Sequence, residues 1–168
     1  MSVVIRAEQP ADIASISRLT EIAFRDHEHS GHTEQFIVDG LRRAGVLTLS
    51  LVAVDNDSVV GHVAVSPVII SSGETGWFGL GPISVLPERQ RQGIGSQLMH
   101  AALADLRQLD AKGCVVLGDP GYYGRFGFRA HPGLELPGVP VEYFQAVSFG
   151  GVLPAGTVRY HDAFDAAE

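Results

Sequence analysis

The spacing of apolar residues divides this chain into alternating helical and extended stretches. Pro10 suits the first turn of a helix, where an amide has no partner, and Ile13, Ile16, Leu19 and Ala23 follow at helical spacing. A helix is expected to run to about Phe24. A second is expected from about Thr33 to Ala44, closed by Gly45. Strands are read from Val3 to Arg6 and from Leu47 through Val54, the latter alternating apolar with polar up to the turn signal Asp55-Asn56-Asp57-Ser58. Val59 to about Ile70 is expected to return as the second half of a hairpin. After the turn Ser71–Gly76, a strand from Trp77 ends at Val85, because Pro87 cannot donate to a ladder. Ile94, Leu98, Ala102, Leu106 and Leu109 then predict a long helix from near Gly93, ended by Lys112-Gly113. Cys114 to Leu117 reads as a buried strand, returned parallel to the one before by the helical crossover. Past a segment rich in Gly and Pro, Tyr143–Phe149 and Gly156–Tyr160 read as closing strands.

The stretch from Leu80 to Leu98, strand then loop then helix, carries the most chemistry. The first amides of a helix lack internal partners and lie at the positive end of its dipole, and Gly93 and Gly95 have no side chains to hold a ligand off the backbone. An anion such as a pyrophosphate fits there. A nucleoside-triphosphate loop would need Gly-Lys-Ser/Thr where this chain has Gly95-Ser96-Gln97, and a dinucleotide fingerprint would need glycine where it has Leu98.

Gln90-Arg91-Gln92-Gly93-Ile94-Gly95 resembles the acetyl-CoA loop, Gln/Arg-x-x-Gly-x-Gly/Ala, of the GNAT family of N-acetyltransferases, and Leu-Gly-Pro-Ile-Ser-Val-Leu-Pro before it strengthens the match. The resemblance is specific from about Leu80 to Phe128, and the tail resembles the YhbS-like branch of that family. It implies an α/β (α+β) GNAT acyl-CoA N-acyltransferase fold: one domain over residues 1–168, its mixed central sheet having splayed parallel strands flanked by helices. It implies that Gln90, Arg91, Gln92, Gly93, Ile94, Gly95 and Ser96 hold acetyl-CoA as cosubstrate. Backbone groups of Ile83, Ser84 and Val85 would pair with the pantetheine arm and polarise the thioester oxygen. Gly118 to Arg129 resembles the family's Phe-Tyr-x-x-x-Gly-Phe segment, whose tyrosine stands near the CoA sulfur; Tyr123 matches it by position. A phenol can protonate a departing thiolate; the alternative is that Tyr122 and Tyr123 only pack with Phe126 and Phe128.

Composition narrows the partners. With 168 residues, 45% hydrophobic and 18% charged, the chain suits one core. No apolar run approaches a membrane span, and the N-terminus lacks the pattern of a signal peptide, so a cytoplasmic protein is expected. A net charge of −7 argues against a grip on nucleic acid and tolerates a cationic amine. Arg89 and Arg91 are the candidates for a local basic patch. Cys114, the sole cysteine, is expected to be a small buried hydrophobe. His27, His29 and His32 have no fixed metal-ligand geometry, and no metal is expected.

An amine must lose a proton to attack a thioester, and many GNAT enzymes use a glutamate on the strand before the loop. Trp77 to Val85 contains no carboxylate. The base is therefore sought in Glu28, a histidine of the first loop, Asp119 or a water chain, or is absent because the substrate's amine is not strongly basic. The expected function is acetyl transfer to an amine of a small molecule or protein, by a monomer or homodimer. The alternative is an acyl-CoA-binding sensor or interaction module with little transfer activity.

Overall fold

The computed structural model describes residues 3–26 and 30–165. The chain divides into two compact units, one of residues 1–66, 81–102 and 162–168, the other of residues 67–80 and 103–161.

In the first unit β1 (Val4–Ala7) pairs antiparallel with β2 (Leu49–Asp55), which pairs antiparallel with β3 (Ser58–Pro67). Asn56 and Asp57, at φ 48 and 66, make the tight turn between β2 and β3, as two residues that tolerate the left-handed region. The end of β5 (Trp77–Val85) follows β3, with the Leu86 amide donating to the Val60 carbonyl at 3.0 Å. Side chains alternate between the faces of β3. On one face Ala64, with Val52 of β2, packs against Ile16 of α1 (Ile13–Phe24) and Val38 of α2 (Glu34–Arg43). On the other, Gly61 lies under Ile94 and Leu98 of α3 (Ile94–Gln108): a Cβ at Gly61 would stand 3.0 Å from a methyl of each. The missing side chain lets the start of α3 sit close on the sheet.

In the second unit the start of β5 pairs parallel with β6 (Gly113–Leu117), as the helical crossover predicts, and β6 pairs antiparallel with β8 (Phe144–Ser148). The β5–β6 ladder holds three pairs, ending at Gly79↔Val115. Leu80 to Val85 lie beyond it, and Pro82 brings no amide to a ladder. A small sheet of β4 (Ile69–Ile70), β9 (Gly156–Arg159) and β7 (Leu134–Glu135) covers a core that includes Trp77, Val115 and Phe144. Trp77 lies over Gly113, where a Cβ would clash with the ring.

Two expectations are corrected. The returning strand stops at Pro67 instead of running to Ile70: the Val68 amide donates to the Trp77 carbonyl, and Ile69–Ile70 join β9. The long helix ends at Gln108, with Asp110 in the left-handed region, and Gly113 already belongs to β6. The closing strand Gly156–Arg159 lies between β4 and β7, a strand that local pattern did not predict.

Candidate functional site

Leu86 leaves the sheet into a single turn at Pro87–Arg89, and the next residues bring the chain to the N-terminus of α3. Arg91 at φ 64 and Gly93 at φ 82 are both left-handed, and a Cβ on Gly93 would meet nothing within 4 Å. Glycine is needed at 93 for its conformation, not for space. The first turn of α3 thus follows directly on two left-handed residues, while Ile94, 2% exposed, anchors that turn in the core. The Gln97 amide closes the first helical bond to the Gly93 carbonyl at 3.0 Å.

The loop's side chains divide their work differently from the sequence expectation. Gln90 donates to the Val85 carbonyl at 3.2 Å and Gln92 to the Glu88 carbonyl at 3.4 Å, so both amides brace the loop's own backbone. Arg89 is bound to Asp55, its guanidinium 2.9 Å from the carboxylate, and also donates to Gln92 at 3.0 Å. Asp55 is 6% exposed, so this pair ties the loop to the hairpin turn. Of the two arginines proposed as a basic patch, Arg89 is already neutralised, and Arg91 is the exposed one. Gly95 and Ser96 are half-buried in the first turn of α3.

On β5, Ile83 and Val85 are half-buried, while Ser84 is 3% exposed with its hydroxyl lacking a hydrogen-bond partner.

Beneath the α1–α2 side of the same unit runs a polar line that sequence reasoning missed. Arg42 donates to both carboxylate oxygens of Glu8, at 2.8 and 3.1 Å. Ser50 donates to the same carboxylate, and the Ser50 oxygen lies 2.8 Å from Nε2 of His62, which is fully buried in β3. A serine has one proton, and the carboxylate can only accept. The bond between Ser50 and His62 must therefore be donated by Nε2–H, which leaves Nδ1 bare; Nδ1 has no partner. Burial pushes the His62 pKa down to about 4, Arg42 acting in the same direction and Glu8 against it. Burial works to raise the Glu8 carboxyl, but the hydrogen bonds from Arg42 and Ser50 outweigh it and hold the group below its ordinary value. Glu8, Arg42 and Ser50 open on a depression of about 290 Å³ that Ala7, Gly45 and Leu47 complete. The signal in the sequence is one histidine in the run Val59-Val60-Gly61-His62-Val63-Ala64-Val65.

In the second unit, α4 (Pro120–Tyr123) begins at Asp119, whose carboxylate accepts from the Gly121 amide at 2.9 Å as an N-cap. That capping bond is Asp119's place in the fold. Tyr123 stacks edge-on with Phe128 at 6.2 Å and with Tyr122 at 5.0 Å, and Tyr122 with Phe126 at 5.5 Å. A Cβ on Gly118 would stand 2.5 Å from the Tyr123 ring, so glycine there lets the ring lie against the chain. Burial, then Tyr122 and Asp119, push the Tyr123 pKa up to about 12, and the phenol keeps its proton across the physiological range. Cys114 is fully buried and its thiol pushed up by burial, as a packed hydrophobe should be. Glu28, His27 and His29 lie outside the described residues. Among the described residues no group of His, Cys, Asp and Glu is arranged to hold a metal, and no described helix is long and apolar enough to cross a membrane.

Comparison with known proteins accords with this geometry. The model of the acetyltransferase (GNAT) domain matches residues 47–130. The Escherichia coli K12 protein named uncharacterized N-acetyltransferase YhbS is 35% identical over 171 residues, covering 96% of this chain and 98% of its own. A Brucella melitensis GNAT family acetyltransferase, solved in complex with acetyl-CoA, superposes with a TM-score of 0.88 at 51% identity, covering 98% of this chain and 99% of its own. Escherichia coli YhbS, solved with CoA, superposes at 0.85, covering 98% of this chain and 92% of its own. The strand, the braced loop and the helix start at Ile94 are those of a family member: the chain belongs to the GNAT acetyltransferases, in their YhbS-like branch.

Proposed function

We propose that this protein is an acetyl-CoA-dependent N-acetyltransferase, which moves the acetyl group directly from the thioester to an amine of a small molecule or protein. One observation carries the reading: a loop whose left-handed Arg91 and Gly93 open the first-turn amides of α3, in a chain 51% identical over nearly its whole length to a protein solved with acetyl-CoA. The residues fit the cosubstrate. Amides from Gly93 to Ser96, with Arg91 beside them, suit its pyrophosphate. Backbone groups of Ile83, Ser84 and Val85, beyond the three-pair ladder, suit the pantetheine amides, and one of their amides suits the thioester oxygen as it gains charge. Tyr123 serves as the donor to the departing thiolate, supported by its match to the family's tyrosine and by its retained proton. Glu28 stands as a candidate base. The domain extends over residues 1–168, and the lone buried thiol suits a reducing, cytoplasmic setting.

Calorimetric titration with acetyl-CoA, with ATP and NAD as controls, tests the reading: saturable binding of acetyl-CoA alone is expected. A folded protein that binds none of them would reduce the loop to a turn and end it. The absence of a carboxylate on Trp77–Val85 favours a second reading, an acyl-CoA-binding module with little transfer activity. A panel of amines followed by thiol release separates the two, because a binder releases CoA no faster with amine than without. Tyr123→Phe is expected to lower kcat tenfold or more with little change in acetyl-CoA affinity. An unchanged kcat removes Tyr123 from the mechanism.

A further inference from the structure

The β5–β6 ladder of the second unit stops early. Its last rung pairs Gly79 with Val115, yet β6 continues to Leu117, held on its other side by Phe144 of β8. Where the ladder stops, a glycine on each side carries a tyrosine ring. Past the end of β6 it is Gly118 with Tyr123; on β5 it is Gly79 with Tyr160, the residue that follows β9. A Cβ on Gly79 would stand 2.6 Å from the Tyr160 ring and 3.1 Å from a Val68 methyl. Gly79 is outside the left-handed region, so its backbone conformation would accept other residues. What the glycine supplies is room for the ring, and glycine inside a strand marks such a close approach. Tyr160 is half-buried as a residue, but its hydroxyl is shut off from solvent, so the ring enters hydroxyl first. Burial pushes that phenol's pKa up, and Cys114 and Tyr123 add to the rise, which puts the two phenols within electrostatic reach of each other.

We propose that Tyr160 sets the length of acyl group this enzyme accepts: its ring, seated on Gly79, ends the space beside Tyr123 at the size of an acetyl group. This rests on the acetyl-transfer reading, which puts the CoA sulfur at Tyr123. The acyl carbon is one bond from that sulfur, so the group it carries begins beside Tyr123. Gly79 and Gly118 lie one strand across and three residues along from each other, about 11 Å by strand spacing. Within that interval the Tyr160 ring takes the ladder end, and a chain longer than acetyl has to meet it. Tyr160 moves no proton; it acts by shape, while Tyr123 acts by the proton it holds. An extra methylene against an apolar wall changes kcat/KM by about 10–200-fold, enough to decide between acetyl-CoA and propionyl-CoA where both are present.

The test compares kcat/KM for acetyl-, propionyl- and butyryl-CoA, with whichever amine of the panel gives turnover. The wild-type protein is expected to prefer acetyl over propionyl by about 10–200-fold. Tyr160→Leu and Tyr160→Ala, which shorten the wall, should bring that ratio to within about threefold, and Tyr160→Phe, which keeps the ring, should keep the preference. A loosened core lowers all three donors alike, so the ratio separates a wall from mere packing. A second measurement needs no shortened variant. The protein is labelled with 3-fluorotyrosine at its four tyrosines, and the Tyr160 signal is identified by its absence from labelled Tyr160→Phe. With no amine present, that signal should shift when acetyl-CoA replaces CoA. Any one of three results overturns the wall: a wild-type protein that uses propionyl-CoA as well as acetyl-CoA, a folded Leu or Ala variant with the wild-type ratio, or a Tyr160 signal identical with CoA and acetyl-CoA. A protein that binds acetyl-CoA yet releases no CoA with any amine overturns the transfer reading instead, and the fluorine comparison, which needs only binding, still decides whether the ring meets the acyl group.

Discussion

The loop from Pro87 to Ser96 and the buried line from Glu8 to His62 place polar groups in opposite ways. The loop exposes backbone and spends its side chains on bracing. Gln90 and Gln92 bond the loop's own carbonyls, Arg89 is paired with Asp55, and the amides are left for a ligand. The line hides side chains and satisfies them one against the next, until at Nδ1 of His62 the partners run out. An exposed amide loses little while it waits for a ligand, because water serves it. A buried orphan costs about 1–3 kcal/mol, which is why one of them calls for an explanation and the other does not.

The largest effect that separates the two regions is pH dependence. His62 has a folded-state pKa of about 4 against an ordinary 6.5. Below pH 6.5 the unfolded chain takes up a proton that the folded protein refuses until about pH 4. The contribution is fully present above 6.5 and is lost as pH falls through this window, by up to about 3 kcal/mol. Glu8, held below its ordinary value by Arg42 and Ser50, loses stability in the same direction. Urea unfolding at pH 7, 5.5 and 4.5 should show this decline, and His62→Gln should flatten its upper part. A decline that is unchanged in the variant would assign the whole of it to carboxylates.

Next in size is the conformation of the loop. Gly93→Ala places a Cβ at φ 82 where it meets nothing within 4 Å, so strain alone acts, by about 2 kcal/mol. Acetyl-CoA affinity should fall about thirtyfold by calorimetry, and the acid stability profile should keep its shape. The smallest effect distinguishes the two loop arginines. Arg91→Ala should weaken acetyl-CoA binding by about 1 kcal/mol, more at low salt, and leave stability unchanged. Arg89→Ala should do the reverse, lowering stability by about 1–2 kcal/mol by leaving Asp55 buried without its partner. Equal losses of binding in both would return Arg89 to the phosphate patch.

What was legible in the sequence follows the same division. The loop and helix start were readable because their determinants are consecutive: Pro87 ends the strand, Gly93 supplies the turn, and Ile94 and Leu98 set the helical phase. The hairpin at Asn56-Asp57 and the parallel return to Cys114 were readable for like reasons. The polar line was not, since Glu8, Arg42, Ser50 and His62 meet only through strand register and the docking of α2. Nor was the break at Pro67, where pairing with a strand some 90 residues later outweighs the apolar run through Ile70. Arg89 was read only as part of a basic patch because its partner, Asp55, is 34 positions away and looked like an ordinary turn residue.

The Arg89–Asp55 pair also makes the loop and the β2–β3 turn one opening unit. Each time the turn frays, Asp55 must release the arginine that braces Gln92, so the two segments share a breathing motion. A ligand seated on the loop therefore slows amide exchange at Asn56 and Asp57, residues it never touches.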